Sequence, residues 1–200
     1  EQFGLEYVTS EYALAHPFDD GSAAAVQIST VLTAEQLGED ADNYKRIFSP
    51  LVNGWPEVRS AFVGPLHLSA YSKTKAKFAC QAVSSAMHFT RHQFKTPVAQ
   101  ALFAGMAAHS MLPLNRLTTS SIGLVLNAAA HINGWPLPKG GAHQITHAVE
   151  ACFKKAGGDI QTGWRITSLH QLPPSKVVLL DVTPAQLLSI AAEQFSALYK

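Results

Sequence analysis

The stretch KGGAHQITHAVEACFKKAGGDIQTGWRITSL, Lys139–Leu169, decides the fold class expected for this chain. It contains a glycine pair, a segment with apolar residues at intervals of three and four, a second glycine pair and a segment that favours extended backbone. The spacing predicts a helix, and Gly157 stands where a left-handed residue would end it. This order of elements is typical of nucleotide-binding α/β proteins, although the chain contains no G-x-G-x-x-G motif.

The residues that follow favour further strand and helix. Lys176–Leu180 is an unbroken apolar run after its first lysine, which predicts a strand buried on both faces. Thr183 and Pro184 predict the capped start of a last helix. Helix, strand, strand and helix together indicate part of a layered α/β domain.

The first third of the chain begins with a β-hairpin pattern. Two segments of strand character, Tyr12–Phe18 and Ala23–Thr30, flank the turn sequence Asp19–Ser22. Thr33 and Gln36 then have the spacing of a capping box, which predicts that a helix starts there.

Helical patterns dominate the middle of the chain. Tyr44–Trp55 predicts a helix that ends at an Asn-Gly-Trp-Pro sequence, and Ser69–Phe94 predicts one long helix. Thr96, followed by Pro97, predicts the start of another helix. Thr118–Trp135 is so apolar that its helix is expected to be buried on most sides. The fold class predicted for the chain is therefore α+β, a helical part with a small β-sheet and a partial α/β segment.

Composition excludes some classes of function. Apolar residues make up 47% and charged residues 14% of the 200 residues. In a typical soluble domain roughly a quarter of the residues are charged. So little charge predicts an exposed apolar surface or self-association. The 15 basic residues are scattered and the net charge is +1, which argues against binding to nucleic acid.

Two cysteines, Cys80 and Cys152, are too few for a disulfide framework and each lies in an apolar helical pattern. We expect both to be buried free thiols in a reducing, cytoplasmic setting.

No apolar stretch of the sequence reaches the roughly 18–20 residues that a membrane span needs.

Metal binding is the first chemistry that the sequence suggests. His88 and His92, and likewise His143 and His147, are four residues apart on predicted helices, which is a spacing of metal ligands. Neither pair has an acidic residue three positions on, and the second pair lies on the polar face of its helix. We therefore predict no metal site, with a helical metalloprotein kept as an alternative.

Other candidate sites are weaker. The glycines of Gly158–Gly163 are followed by Trp and Arg rather than Lys and Ser or Thr, so this is not a phosphate loop. Ser110 and Cys80 lack the sequence context of an activated nucleophile, and His109 is expected to serve in a cap or in the core. Asp19 and its neighbour fit a turn. No catalytic residue is assigned.

Three segments together resemble a known family. Ala101–Leu114, Gly123–Leu169 and Val177–Ala191 are similar to the middle of the phytoene-desaturase-like FAD-dependent oxidoreductases, which belong with the amine-oxidase-type flavoproteins. The resemblance covers most of the chain and is densest from Thr96 to Ala192.

The resemblance implies a division of the chain. Residues 1–138 correspond to a substrate domain and residues 139–200 to a segment of the FAD domain, whose dinucleotide-binding motif lies upstream in this family. Ile166 corresponds to a residue that contacts adenine through its backbone, and Thr183 and Pro184 to a loop near the cofactor. FAD is therefore expected in the intact parent protein but not in this chain alone.

The function implied is that of an oxidoreductase, a desaturase or dehydrogenase acting on an apolar, isoprenoid-like substrate, with this chain alone inactive. Expected partners are that substrate, the remainder of the FAD domain and, for the parent, a peripheral membrane contact. The helix Ser120–His131 and the segment Leu102–Met106 are candidate walls of a substrate tunnel or a plain core. The alternative is a stand-alone module that binds an apolar ligand without catalysis.

Overall fold

The computed structural model describes residues 3–64 and 72–199, and it belongs to the predicted α+β class, with 55% helix and two small antiparallel sheets. Two compact units are formed, Glu1–Ala148 and Val149–Lys200. Helix α8 (His143–Lys155) crosses their boundary, and α9 (Pro184–Ala191) lies in the second unit. The first unit contains β1 (Tyr7–Val8), β2 (Tyr12–Pro17), β3 (Ala23–Gln27), α1 (Thr30–Glu35), α2 (Ala41–Asn53), α3 (Trp55–Val63), α4 (Lys73–Ala82), α5 (Ala86–Gln93), α6 (Pro97–Ala107), α7 (Thr119–Asn133) and β4 (Leu137–Pro138).

The predicted hairpin is confirmed. Strands β2 and β3 pair antiparallel, and in the turn between them the Asp20 carboxylate accepts hydrogen bonds from the backbone and hydroxyl of Ser22, at 2.9 and 2.6 Å. Gly21 takes the left-handed conformation there, with φ of +82°. Alternate residues of β3, Ala24 and Val26, are buried in the core, as the period of two in a strand requires. A second ladder joins β1 to β4.

The capping box predicted at Thr33 and Gln36 is wrong. Helix α1 begins three residues earlier, where the Ser29 hydroxyl accepts the N–H of Leu32. Thr33 is fully buried instead, and its hydroxyl bonds to the backbone of Gln27 at the end of β3. The Thr33 hydroxyl therefore bonds to the end of β3 and does not cap a helix, contrary to what the local pattern predicts.

The single helix predicted over Ser69–Phe94 is also wrong; its first residues, 69–71, lie outside the described part of the chain. The helix is interrupted between α4 and α5, and Ser85 caps the second piece by accepting the N–H of His88. The hydroxyl of Ser120, from α7, lies within hydrogen-bond distance of carbonyl oxygens at the break, among them those of Gln81 (2.6 Å) and Ser84 (2.8 Å). A side chain from a distant helix therefore contacts the backbone where α4 ends, and the break contains neither Pro nor Gly.

The central helices agree with the sequence prediction. Thr96 caps α6 by accepting the N–H of Ala99, with Pro97 in the first turn. Helix α7 buries nine of its fifteen residues and packs closely on α6. A Cβ at Gly123 of α7 would lie 2.7 Å from the ring of Phe103, so glycine permits this close approach.

The Asn-Gly-Trp-Pro sequences end α2 and α7 as expected, at Gly54 and Gly134. Pro56, however, lies in the first turn of α3, which starts directly after α2. The proline therefore begins one helix as the other ends, in agreement with its preference for a first helical turn.

The second unit departs most from the prediction. Helix α9 is capped by Thr183 as predicted, and Gly157 after α8 has φ of +88°. The doubly buried strand predicted at Lys176–Leu180 is wrong for this chain, since these residues form neither helix nor strand and the side chains of Val177 and Leu179 are 71% and 91% exposed. No described strand pairs with this segment, so its apolar side chains have no sheet to join.

Candidate functional site

The three residues assigned to cofactor contact, Ile166, Thr183 and Pro184, all lie in the second unit. Ile166 belongs to a non-helical segment rather than to a strand, and its side chain is partly buried. Thr183 and Pro184 form the exposed start of α9. The Thr183 hydroxyl is already engaged with Gln186, whose backbone N–H it caps and whose side-chain oxygen it contacts at 2.9 Å.

A pocket of about 240 Å³ lies next to Ile166. One wall is the segment Thr167–His170, which leads into a short 3₁₀ turn (Leu169–Gln171), and the other is Ser189–Gln194, the end of α9 and the turn that follows it. Thr183 and Pro184 are not part of this lining. Ile166 is not part of it either, although it directly precedes the first lining residue, Thr167.

Hydrogen bonding around the pocket leaves the backbone of Ile166 open, as it does that of the residues just before it. The side chain of Gln171 turns back and accepts the N–H groups of Thr167 and Ser168, at 2.7 and 3.1 Å. Ser168 in turn caps the 3₁₀ turn by accepting the N–H of His170. Among the described residues, the N–H and C=O of Ile166 have no hydrogen-bond partner. Ile166 therefore offers an unpaired donor and acceptor directly before the first lining residue of the pocket.

This arrangement can bind the edge of a flat, polar ring. One N–H and one C=O on adjacent sides of a residue match a purine edge, which also presents a donor next to an acceptor. Pockets that enclose larger ligands measure roughly 300–1,000 Å³, so this one has the size for a single ring system. A pocket of this volume is too small to enclose a whole dinucleotide.

Sequence reasoning missed the polar residues that line this pocket, which are Thr167, Ser168, His170, Ser189, Glu193 and Gln194. A sequence signal was present for Ser168, whose spacing from Gln171 is that of a capping box. The convergence of the others depends on how α9 folds back beside the 3₁₀ turn, which no local pattern reveals.

A buried histidine and tyrosine form a separate polar pair in the first unit. The Nε2 atom of His131 and the hydroxyl of Tyr44 are 2.7 Å apart, and His131 Nδ1 is 3.1 Å from the carbonyl oxygen of Ile28. Because a carbonyl can only accept, Nδ1 carries the proton and Nε2 accepts from the tyrosine. Burial lowers the pKa of His131 and raises that of Tyr44. Both polar groups are satisfied within the protein, as expected of a structural pair rather than a catalytic one.

A fully buried carboxylate, Asp40, also serves the fold. It accepts the backbone N–H groups of Lys95 and Thr96, at 2.9 and 2.7 Å, and the Thr96 hydroxyl at 2.7 Å. Burial raises its pKa, but these donors outweigh burial and hold the pKa below its ordinary value. Asp40 therefore stays ionised and fixes the segment that precedes α6.

The histidine pairs singled out by spacing are arranged differently from each other. The rings of His88 and His92 stack at 3.9 Å, and His92 Nδ1 bonds to the backbone carbonyl of His88. The rings of His143 and His147 meet edge to face at 5.4 Å. Within the described residues, no group of three or more His, Cys, Asp or Glu side chains is placed to hold a metal ion.

Two further expectations are corrected. Both cysteines, Cys80 and Cys152, are exposed rather than buried, because each lies on a helix face that no described element covers. His109 is exposed and lies beside Trp135 rather than in the core. Ser110 is in a 3₁₀ turn, where it accepts the N–H of Leu112.

The two interpretations of the apolar helices are now distinguished. Leu102, Phe103 and Met106 of α6 are at most 2% exposed, and Leu124 of α7 is fully buried. Leu102, Phe103 and Leu124 belong to the hydrophobic core of the first unit. They are core residues in this chain, and the tunnel interpretation of this region is not needed to explain their burial.

No family model, characterised protein or solved structure matches this chain. In residues 3–64 and 72–199, no helix has both the length and the apolar character needed to cross a membrane.

Proposed function

We propose that this chain is the central part of an FAD-dependent oxidoreductase of the phytoene-desaturase-like kind, and that its second unit supplies one edge of the FAD domain. The observation that carries the proposal is unpaired backbone. Among the described residues, neither 161–166 nor 175–182 makes a backbone hydrogen bond, and neither is helical. The second segment is also strongly apolar.

Both segments are largely exposed, so their backbone groups are open to further partners. An apolar segment with open backbone groups is a template for strand pairing. Val177, Val178 and Leu179 are all exposed, the last by 91%. Strands of the remaining FAD domain are the partners that would cover these side chains and pair this backbone.

Ile166 has the central role in cofactor binding. Its free N–H and C=O are proposed to hold the adenine edge, with the pocket beside it enclosing the ring. Thr183 and Pro184 are proposed to lie near the cofactor once the domain is complete. FAD, when bound, accepts the hydride removed from the substrate. The chain's own contribution is binding and orientation, and no residue in it is assigned as an acid or a base.

The substrate proposed is an apolar molecule, bound by the region of residues 1–138 in the parent protein. The chain alone is proposed to be inactive, because its pocket fits only one ring of the cofactor. It should therefore purify without the yellow colour of flavin, and a stoichiometric visible flavin band in the purified chain would contradict this.

The cofactor role of Ile166 is tested in the parent protein by three variants. Ile166→Val keeps both backbone groups and the β-branched shape, so FAD occupancy should be retained. Ile166→Pro removes the N–H donor; one hydrogen bond is worth about 0.5–1.5 kcal/mol net, which corresponds to a loss of roughly twofold to tenfold in affinity. Gln161→Pro is the control, since Gln161 lies in the same unpaired segment away from the pocket.

The readout is FAD bound per folded protein, with circular dichroism to verify folding. The proposal requires that Ile166→Pro loses FAD while Gln161→Pro and Ile166→Val keep it. Equal loss in both proline variants, or a folded Ile166→Pro protein with full FAD, would show that this backbone does not hold the cofactor.

A further inference from the structure

Charge is divided unevenly along the first unit. Residues 1–57 contain ten Asp or Glu and two Lys or Arg, a formal charge of −8. Residues 58–148 contain no Asp or Glu and eight Lys or Arg, a formal charge of +8. Two parts of the chain that fold into one unit therefore carry opposite charges, although the net charge of the whole chain is only +1.

The two parts hardly neutralise each other through direct contacts. Lys139 and Glu6, 2.9 Å apart, form the one ion pair between them among the described residues. The pair Lys45–Asp42 lies within the acidic part. The remaining surface charges are thus available to interact with something outside the unit.

The basic part carries an exposed apolar surface, which we call the basic face: Val83, Met87, Met111, Leu112, Arg116 and Leu117. Two backbone hydrogen bonds hold it together, from Thr118 to the carbonyl of Val83 (3.2 Å) and from Met87 to that of Leu114 (3.0 Å). Met111 and Leu117 are 89% and 73% exposed. Arg116 lies between these apolar residues and has no ion-pair partner in the described chain.

The loop of the basic face is held in an unfavourable backbone conformation. Met111 and Thr118, at its two ends, have φ of +57° and +70°. Left-handed backbone costs roughly 1–2 kcal/mol for a residue with a side chain, and such strain is concentrated at functional segments. The apolar side chains of this loop are therefore kept in solvent despite an energetic cost.

The acidic part carries a second exposed apolar surface, the acidic face, which consists of Ile28, Val31, Leu32, Glu35 and Glu39. Its three apolar side chains are 42%, 51% and 49% exposed. Val31 and Glu35 are four residues apart on α1 and therefore share one side of the helix. Both glutamates are exposed, and neither has an ion-pair partner among the described residues.

Helix α7 separates the two faces. The basic face adjoins its first residue, Thr119, whereas His131 near its end bonds to the carbonyl of Ile28 in the acidic face. At 1.5 Å per residue, the two ends are about 18 Å apart. One copy of the chain therefore cannot bring its own faces together. The helix dipole adds positive potential at the basic end and negative potential at the acidic end.

We propose that the basic face of one copy of this chain binds the acidic face of a second copy. Each face combines apolar side chains with charges of one sign, and the signs are opposite. Because the contact joins two different surfaces, it is head to tail and generates rings or open chains of copies rather than a two-fold dimer. The proposal is independent of the FAD assignment, since it uses no residue of the second unit.

The test measures the mass of the whole chain by sedimentation velocity at low and high salt. Wild type should associate in a concentration-dependent way at about 0.01 M salt and much less at about 0.5 M, since the screening length falls steeply over this range. Arg116→Glu and Glu35→Lys should each weaken association by on the order of tenfold, because like charges then face each other. An equimolar mixture of the two variants should regain association, because each supplies one intact face to the other.

The control is Arg59→Glu, the same change at an exposed basic residue of α3 outside the basic face. It should associate like wild type. The proposal is overturned if wild type is monomeric at low salt, or if the mixture of reversed variants does not recover. It is also overturned if association resists salt and is abolished by Leu179→Lys, which would assign it to the second unit. Finally, binding of monomers to phosphatidylserine vesicles that Arg116→Glu abolishes would assign the basic face to a lipid surface instead.

Discussion

Replacing Tyr44 with Phe should destabilise the first unit through a single lost hydrogen bond. The change removes one oxygen atom from a side chain that is 2% exposed and leaves the ring in place. That oxygen donates to Nε2 of His131 at 2.7 Å, while the other ring nitrogen is committed to Ile28. In the variant, Nε2 remains buried with no donor within reach.

The expected cost follows from this unsatisfied acceptor. A buried polar group that loses its partner costs about 1–3 kcal/mol, more than the net value of the bond itself. We therefore expect the free energy of unfolding to fall by about 1–3 kcal/mol at pH 8, measured by urea denaturation followed by near-ultraviolet circular dichroism. Tyr12→Phe is the matched control, since Tyr12 is 45% exposed and should change stability by less than about 0.5 kcal/mol.

The same pair determines a pH dependence. Burial lowers the pKa of His131 below its ordinary value of 6.5, so below that pH the unfolded chain binds a proton that the folded chain resists. Stability is therefore complete above about pH 6.5 and is lost as the pH falls towards the folded pKa. The Tyr44 hydroxyl stabilises the neutral ring, so Tyr44→Phe should make this decline shallower. Burial also lowers the pKa of His16, which leaves a residual decline in both proteins.

Two results would refute this reasoning. If Tyr44→Phe unfolds with the wild-type free energy at pH 8, the buried hydrogen bond is not maintained in solution. If its stability changes between pH 8 and pH 5.5 as steeply as that of wild type, the tyrosine does not influence the protonation of His131.

Three further changes test other parts of the structure. Gly123→Ala should lower the free energy of unfolding, because overpacking against Phe103 costs about 1–3 kcal/mol and the gain in helix propensity is at most about 1 kcal/mol; an unchanged urea midpoint would contradict the close helix contact. Thr118→Asn should raise stability by up to about 1 kcal/mol, since Asn tolerates left-handed backbone; a lower melting temperature would show that the threonine is not strained. Leu179→Lys should leave stability within about 0.5 kcal/mol of wild type and reduce the binding of an apolar dye, whereas undiminished dye binding would place the exposed surface elsewhere.

The sequence alone was sufficient where structure depends on neighbouring residues. The turn at Asp20 and Gly21, the caps at Thr96 and Thr183 and the left-handed Gly157 were each predicted at the position where they occur. Turn and cap geometry is decided by a few residues that follow one another, because the hydrogen bonds concerned span two to four positions.

The candidate site was predictable only in part. The assignment of Ile166 to the cofactor comes from family resemblance and stays a prediction, since Ile166 is not among the residues that line the pocket. The polar residues of that pocket, among them His170 and Glu193, are separated by more than twenty residues in sequence. Their approach depends on the fold of the second unit, and no motif of fixed spacing could have indicated it.

Where a local sequence signal competed with a distant partner, the tertiary structure determined the outcome. Ser120 of α7 reaches the carbonyls at Gln81 and Ser84, where a continuous helical pattern is divided into α4 and α5. The Thr33 hydroxyl bonds to the backbone of Gln27 and does not cap a helix. The sequence determined the elements and most of their ends because those rest on short-range backbone geometry. Only the folded chain decided the helix break, the buried pair and the separation of the two charged faces, because each depends on groups brought together from positions far apart in the sequence.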